Sequence, residues 1–504
     1  MPLAFVVALA LFGENASAAP LEVLLRYAGT TAYVAAFVAA GATALGVAAA
    51  WLVVMYDFPG RRVFEWALAL PLAAPAYALA YAYADLFDVA GPIRTLARDL
   101  IGSDLPLNVR NPVGAGLILA AAFYPYVYLT ARAAFVSQSV CSLEAARTLG
   151  CNPTQAFWRV ALPMARPAIA AGAALALMET LADYGAVNFL GVQTLTTGVV
   201  RSWSSYGAPA AAARIALVLL ATAAALLWVE RLGRRGQTYG ASSARWRDLP
   251  RAALTGARGA GAAGFCLGLL FVALLLPAGW LFVMGLESAP EAARLLGAAL
   301  RTLALAAAGA VLTVGLAALV AFGARGSKAA ARLVSLGYAT PGAVIAIGLL
   351  APAGFLWRGV SGAAGAAGVA LGLLLLAYAA RLMASALEPI DAGLTRVTPS
   401  MDRAARTLGA TEAGALRRVH VPLARGALFT AALLVFVDVI KELPATLILR
   451  PFDFDTLAVL ADNYARDERL AEAAWPALGI LLLALLPVIR LSRAVAASRP
   501  GAPG

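Results

Sequence analysis

Charged side chains inside apolar segments are the residues of this sequence with the clearest chemical potential for function. Glu179 and Asp183 lie in one such segment, and Asp438, Lys441 and Glu442 lie in another. A spacing of four residues places the two acids of each segment on one helix face. Because a charge within a membrane costs about 2.5–3.5 kcal/mol on insertion scales, such residues indicate function. These faces either line a path or gate for a cationic solute, or Asp183, Lys441 and Glu442 lie at the membrane edge, where Lys441 neutralises a neighbouring acid.

No catalytic constellation accompanies these charges. The only two lysines, Lys328 and Lys441, do not follow a glycine, so the chain has no Walker A motif and any ATP hydrolysis must come from another subunit. His420 is the only histidine, and the three cysteines form no CxxC pair. The sequence therefore predicts no enzyme activity, no metal site and no cofactor bound by this chain.

The composition is that of a membrane protein. Of the 504 residues, 62% are hydrophobic and only 13% are charged, and the mean hydropathy is +0.81. The net charge of +12 would indicate nucleic-acid binding in a soluble protein. Here it is better explained by the lysines and arginines that accumulate in cytoplasmic loops, so we expect a lipid bilayer as the surrounding medium and no nucleic acid.

Apolar runs predict 11 or 12 transmembrane helices, because backbone groups in lipid must be satisfied within each segment. The uncertain one is the N-terminal run at 3–12. It is either part of a first span, which we favour, or the apolar region of a signal peptide cleaved after Ala16-Ser17-Ala18. The other predicted spans are 28–55, 64–84, 112–136, 166–190, 209–230, 263–285, 298–323, 333–356, 362–387, 425–449 and 473–490.

The distribution of basic residues sets the orientation. Most of the 39 lysines and arginines fall in alternate loops, which the positive-inside rule places in the cytoplasm. The Arg- and Gly-rich stretch 231–261 has no apolar run and divides the chain almost in half, so it is predicted to be a cytoplasmic linker. The predicted domains are a first bundle at 1–230 and a second bundle at 262–504.

Two polar stretches of the predicted cytoplasmic loops repeat each other. Residues 142–169 and 401–428 agree at 13 of 28 positions, with an offset of 259. Each copy predicts a short helix ended by Gly150 or Gly409 in a left-handed cap, and then a second short helix closed by Pro163 or Pro422 before the next span. Both copies lie on one side of the membrane, which indicates two parallel copies of one bundle.

The first copy, 142–163, resembles the EAA loop of ABC importer permeases. The matching positions are Glu144, Ala145, Ala146, Gly150, Val160, Leu162 and Pro163. The resemblance implies a coupling helix that docks on an ATPase subunit. The second copy, 401–422, keeps Ala404, Ala405, Gly409 and Pro422, but it has Arg403 where Glu is expected. The acidic docking contact is therefore in doubt in the second half.

The resemblance extends over nearly the whole chain. Residues 56–83, 178–203 and 441–458 resemble the fused two-bundle permeases of ferric-iron uptake systems. This resemblance implies an all-α fold of two tandem six-helix bundles, the type I ABC importer permease fold, in a bacterial inner membrane. It also implies two ATPase copies at the cytoplasmic face and a periplasmic binding protein that delivers ferric iron. The alternatives are the same role for thiamine or another small solute, and a secondary transporter driven by an ion gradient.

Overall fold

The long apolar segments form helices in the computed structural model, which describes residues 2–13, 21–102, 108–137, 148, 150, 152–234, 251–323, 340–357, 362–394, 399–409 and 411–497. Within these residues, nine helices are long and apolar enough to cross a membrane. They are Leu21–Met55, Pro112–Val136, Phe157–Ala182, Pro209–Leu226, Gly256–Gly285, Ala292–Gly323, Ala363–Leu394, Leu416–Ile440 and Leu470–Arg493. The predicted all-α, polytopic fold is confirmed.

Shorter helices connect these spans. They are Arg61–Ala67, Ala76–Leu86, Pro92–Ile101, Pro153–Ala156, Gly185–Phe189, Leu195–Ser204, Pro399–Thr407, Glu412–Ala415, Pro444–Leu449 and Leu457–Arg466, with a 3₁₀ turn at Leu70–Ala73. The strands in the described residues are Tyr56–Asp57 and Ala252–Ala253, which pair in parallel. This pairing ties the end of the predicted linker to the loop that follows the first long helix.

Two of the predicted spans correspond to shorter helices. The N-terminal run forms Pro2–Phe12, a helix of 11 residues, and the run at 333–356 is described as Gly342–Trp357, a helix of 16 residues. A helix needs about 20 apolar residues to cross the hydrocarbon core. Neither helix, as described, reaches that length.

The predicted span 64–84 is wrong as a single helix. Arg61–Ala73 and Ala76–Leu86 are bent by 89° relative to each other. The bend falls at Ala74, whose backbone is extended (φ −84°, ψ 128°). Pro75 follows it, and a proline disfavours the helical conformation in the residue before it. If this bent pair counts as one span, the described residues hold ten.

Buried polar contacts hold the first arm of the bent pair. The guanidinium of Arg132 donates to Glu65 Oε1 at 2.6 Å, and Arg61 Nη1 lies 3.4 Å from Glu65 Oε2. The hydroxyl of Tyr128 donates to the backbone oxygen of Glu65 at 2.8 Å, and that of Tyr124 to Leu68 at 2.9 Å. Side chains of Pro112–Ser137 therefore satisfy carbonyls and a carboxylate of the neighbouring arm.

The chain forms two compact units that cut across the predicted halves. One unit combines Met1–Pro20, Gly198–Leu220 and Pro290–Asp467, and the other combines Leu21–Thr197, Ala221–Ala289 and Glu468–Gly504. In the first unit, Pro2–Phe12 packs on Gly342–Trp357. In the second, Leu276–Gly285 packs on Ala76–Leu86. Each unit thus contains helices from both halves of the sequence.

Each unit has a threonine that anchors the start of a short helix. This similarity was not predicted from the sequence. The hydroxyl of Thr31 donates to Tyr27 O at 2.7 Å and accepts from the backbone N–H of Leu195 at 2.9 Å. In the other unit, Thr302 donates to Ala298 O at 2.8 Å and accepts from Leu457 N–H at 2.9 Å. Leu195 and Leu457 are the first residues of equivalent short helices, so one threonine satisfies an otherwise unpaired N–H in each unit.

Removal of the Glu65 carboxylate should destabilise the fold strongly. The change Glu65→Ala leaves the guanidinium groups of Arg61 and Arg132 buried without their shared anion, which costs about 3–5 kcal/mol in buried ion pairs. We expect the free energy of unfolding, measured by SDS titration in mixed micelles, to fall by about that amount. The control is Asp57→Ala, whose side chain is 69% exposed and also pairs with Arg61. Equal losses for the two variants would contradict this account.

Candidate functional site

The first repeated loop, 142–163, is described from its turn onwards. Glu144, Ala145 and Ala146 lie outside the described residues. Gly150 has φ +84°, the left-handed conformation that the sequence predicted for it. After the turn, Asn152 caps the next helix: its Oδ1 accepts from Gln155 N–H at 2.8 Å, and its own N–H donates to Gln155 Oε1 at 3.0 Å. This reciprocal pair is a capping box that fixes the start of Pro153–Ala156.

The second repeated loop, 401–422, has the same construction. The helix Pro399–Thr407 carries Ala404 and Ala405, and Gly409 follows it with φ +78°. Thr411 then caps the next helix, because its Oγ1 accepts from Gly414 N–H at 3.1 Å. Thr411 stands 259 positions after Asn152, so the offset found in the sequence also relates the two caps.

Both loops run into their spans through one turn of π-helix. These turns are Phe157–Ala161 and Leu416–His420, again 259 positions apart. Pro163 and Pro422 then lie in the first turn of the following helix. The prediction that these prolines close a separate short helix is therefore wrong. A proline is tolerated in a first helical turn, and π turns occur frequently at functional sites.

The exposed chemistry of the two loops differs. In the first loop, the ring of Phe157 packs on Trp51 at a centroid distance of 4.7 Å, while Trp158 is 62% exposed. In the second loop, the position of Trp158 is taken by Arg417, which is also exposed. His420 is buried and stacks on Phe322 at 6.1 Å. Each loop thus packs on an aromatic ring of a preceding helix. The first loop exposes an aromatic side chain, Trp158, and the second exposes a basic one, Arg417.

Glu442 is buried in a dense hydrogen-bond network. Its Oε1 accepts from Arg381 Nη1 and from Ala445 N–H, each at 3.1 Å. Its Oε2 accepts from Thr446 N–H at 3.1 Å and from Thr446 Oγ1 at 2.8 Å, and that hydroxyl lies 2.7 Å from the hydroxyl of Tyr378. Glu442 therefore caps the helix Pro444–Leu449. Its carboxylate is engaged within the protein.

Asp183 has the equivalent role in the first half. Its Oδ1 accepts from Ala186 N–H at 3.1 Å and from Val187 N–H at 3.2 Å, so it caps the helix Gly185–Phe189. Both predicted spans, 166–190 and 425–449, are accordingly wrong as single helices. The long helices end at Ala182 and Ile440, and a short capped helix follows each break.

The remaining charged residues of these segments are less enclosed. Glu179 lies on the last turn of Leu162–Ala182 and is partly exposed. Asp438 lies on the equivalent turn of Val421–Ile440, and its Oδ1 is 3.0 Å from Lys441 Nζ. The side chains of Asp438 and Lys441 are 22% and 18% exposed. Lys441 and Asp438 therefore form a local ion pair at the end of this helix.

The partners of Glu442 were not predicted from the sequence: they are Arg381, Tyr378 and Thr446. Arg381 lies in the span Ala363–Leu394, and a charge within a span is itself a signal that could have identified it. Tyr378 precedes it by one helical turn, on the same face. Thr446 carries no such signal, because its role arises only from the break that follows Ile440.

The segment 451–472 beyond the second break is acidic. Within it, Asp462 is 97% buried on the helix Leu457–Arg466, and Arg466 Nε lies 2.7 Å from its Oδ2. Burial raises the pKa of the Asp462 carboxyl to about 6, although the charge of Arg466 opposes this shift. The buried acid thus has an internal partner, like Glu442.

Known transport permeases are similar to the chain, either over most of its length or over about two fifths of it. The Fe(3+)-transport system permease protein FbpB 2 of Haemophilus influenzae is 25% identical over 478 residues, which cover 90% of this chain and 87% of that protein. The sulfate transport system permease protein CysT of Salmonella typhimurium is 31% identical over 201 residues, or 38% of this chain and 71% of that protein. The molybdenum transport system permease protein ModB of Escherichia coli is 27% identical over 199 residues, or 38% and 86%.

One family model matches the chain twice, at residues 42–237 and 309–500. Its two matches cover more than half of the sequence and include both repeated loops, and the described spans suit a multi-pass membrane protein. The chain therefore belongs to the family of binding-protein-dependent transport system inner membrane components, as a fused permease that carries two copies of the domain.

Proposed function

We propose that this permease imports ferric iron delivered by a periplasmic binding protein. The observation that carries the proposal is coverage: the iron permease of Haemophilus influenzae matches 90% of the chain, through both halves. The sulfate and molybdenum permeases each match 38% of it. The fused arrangement is thus shared with a protein named for iron, while the likeness to anion permeases is that of a single domain.

The chain would work with a separate ATPase subunit, since its sequence contains no Walker A motif. In the proposed complex, two ATPase copies dock on 142–163 and 401–422, and ATP is used by them alone. Support comes from the two loops, which share a left-handed glycine, a cap and a π turn at a constant offset. Two loops with the same backbone conformation suit two identical docking partners.

We further propose that Glu179 and Asp438 line the translocation path, with Lys441 beside Asp438. Both acids occupy the last turn of equivalent long helices and keep part of their surface exposed. Carboxylates favour a cationic cargo over sulfate or molybdate, because like charges repel. Asp183 and Glu442, the two other candidates, would support this path by capping the short helices that follow.

Two alternatives are testable against this proposal. The same permease role could serve thiamine, another small solute, or the oxyanions named for the relatives that match one half. A secondary transporter would need no ATPase. Membership of the binding-protein-dependent family argues against it, because those systems depend on a partner protein.

Radiolabelled uptake into proteoliposomes tests the substrate. With the ATPase subunit, a ferric-iron-binding protein and ATP inside the vesicles, we expect ATP-dependent accumulation of ⁵⁵Fe³⁺ that excess sulfate, molybdate or thiamine does not reduce. The control lacks internal ATP. ATPase stimulation without iron accumulation would overturn the iron proposal, and iron accumulation without ATP would overturn the ATP-driven one.

The left-handed glycine of the second loop offers a direct test of docking. A Cβ at Gly409 would meet nothing within 4 Å, so only its backbone conformation resists substitution. We expect Gly409→Val to lower binding-protein-stimulated ATPase activity by about tenfold, because a β-branched residue is strained at positive φ. Gly409→Asn should retain most of the activity, since asparagine tolerates this conformation. Equal activity of the two variants would show that the turn does not matter for coupling.

Substitutions of the proposed path residues and of the helix-capping residues should have different effects on uptake and on folding. We expect Glu179→Gln and Asp438→Asn to lower ⁵⁵Fe³⁺ uptake while stimulated ATPase activity and yield of folded protein stay near the wild-type level. In contrast, Glu442→Ala leaves Arg381 buried without its anion, which costs about 3–5 kcal/mol, so this variant should lose folded protein by size-exclusion chromatography. Uptake that is normal in the Glu179→Gln and Asp438→Asn double variant would exclude both acids from the path.

A further inference from the structure

Phe452 is the most exposed large apolar side chain in the part of the chain that the structure describes. It is 95% exposed, and it lies in the turn between the helices Pro444–Leu449 and Leu457–Arg466. A single exposed apolar residue needs no explanation by itself. The turn that carries it, 450–455, needs one, because it is rigidly held.

This turn is held rigid by arginines from the helix Ala292–Gly323 and from its own base. Arg301 Nη1 donates to the backbone oxygen of Asp453 at 3.1 Å, and the Arg301 guanidinium lies 5.5 Å above the ring of Phe454. Asp455 pairs with Arg450 and lies 3.6 Å from Arg294 Nη2. Phe452 takes part in none of these contacts, so its exposed ring is not needed to hold the turn.

The backbone of the turn is strained at its tip. Asp453 has φ +59°, and it is one of two non-glycine residues with positive φ in the described residues. The left-handed conformation is unfavourable for residues other than glycine, although aspartate is among the residues that tolerate it best. Such strain persists only where the surrounding contacts enforce it, and it is concentrated at functional sites.

The first half has a shorter turn at the same place. At the offset of 259 that relates the two halves, Leu190 corresponds to Leu449, and both are buried. Five residues, 190–194, then precede the helix Leu195–Ser204, whereas seven residues, 450–456, precede the helix Leu457–Arg466. In the shorter turn the left-handed residue is Gly191, with φ +71°, and Gln193 accepts from Arg26 at 2.9 Å. Phe452 and the strained Asp453 therefore belong to the longer turn of the second half.

The location of this turn identifies the side of the membrane. The helix Val421–Ile440 begins at the cytoplasmic loop 401–422, and its 20 residues span about 30 Å at 1.5 Å per residue. The turn that follows the short helix Pro444–Leu449 thus lies toward the extracytoplasmic side. A family that depends on a binding protein must meet that protein there.

We propose that the turn 450–455 is a docking contact for the extracytoplasmic binding protein, with Phe452 as its apolar anchor and Asp453 as its charged neighbour. Complementarity requires an apolar pocket on the partner, with a lysine or arginine at its rim. The pre-formed, rigid turn lowers the entropy lost on docking. This inference rests on the proposed import function, but it concerns the delivery protein and not the identity of the cargo.

The test is a titration of the full permease–ATPase complex in nanodiscs. The probe is the ferric-iron-binding protein of the uptake assay, and the readout is the ATPase rate. We expect Phe452→Ala to raise the half-saturating concentration of binding protein about tenfold or more, a size typical of an interface anchor, with an unchanged maximal rate. Phe452→Trp should stay within about twofold, because a large aromatic ring is retained. The matched control is Tyr206→Ala, whose ring is 69% exposed.

A half-saturating concentration for Phe452→Ala within twofold of wild type would overturn the docking proposal. This outcome is distinct from failure of the iron proposal, which would appear as stimulated ATPase activity without ⁵⁵Fe³⁺ uptake by the wild-type protein. Asp453→Asn keeps a residue that tolerates positive φ but removes its charge. We expect it to weaken docking and to reduce the salt dependence of docking.

Insertion of Phe452 into the lipid headgroup region is the rival explanation. In a cysteine-free background, Phe452→Cys distinguishes the two by its reaction with a membrane-impermeant maleimide. Rapid labelling that the binding protein suppresses supports docking. Slow labelling without binding protein, followed by rapid labelling in detergent, would assign Phe452 to the lipid and overturn the proposal.

Discussion

A break in a buried helix leaves N–H groups that the surrounding apolar side chains cannot satisfy, and this constraint organises both halves of the permease. Burying a backbone polar group without a hydrogen bond costs about 2–7 kcal/mol. Asp183 and Glu442 meet this cost at the two breaks, by accepting hydrogen bonds from the first N–H groups of the next short helix. The acids thus make the breaks possible. The short helices and the turns beyond them depend on these caps.

This role changes how charge in the membrane segments is interpreted. Four acids at equivalent positions suggest one lining from sequence alone, but the structure divides them by what they contact. Glu442 is enclosed by Arg381 and Thr446, and replacing its charge would disturb the fold before it altered a path. Glu179 and Asp438 stand one turn before the caps and keep exposed surface. The rigid caps therefore fix the ends of the helices that present the proposed path residues.

The sequence predicted the features that depend on local chemistry. Hydropathy located the nine long helices of the described residues, because burial in lipid needs only an apolar run. The predicted ends differ from the observed ones by up to nine residues. Gly150 and Gly409 were predicted as left-handed, since few other residues adopt that conformation cheaply. The breaks at Ala74 and after Ala182 and Ile440 were missed, because hydropathy continues across them. The exchange of terminal helices between the compact units was also missed, because no local pattern records which neighbour a helix packs on.

The two halves share backbone devices but differ in the side chains they present. A homodimeric permease repeats every residue on both sides of its axis, so a change that suits one partner surface is imposed on the other. Fusion removes this constraint. Trp158 and Arg417 occupy the same position after the cap, yet one side chain is aromatic and the other is charged. The turn after the second short helix is also longer than the turn after the first. A single chain can in this way keep one scaffold twice while it presents different side chains to the proposed delivery protein on one side and to the proposed ATPase subunits on the other.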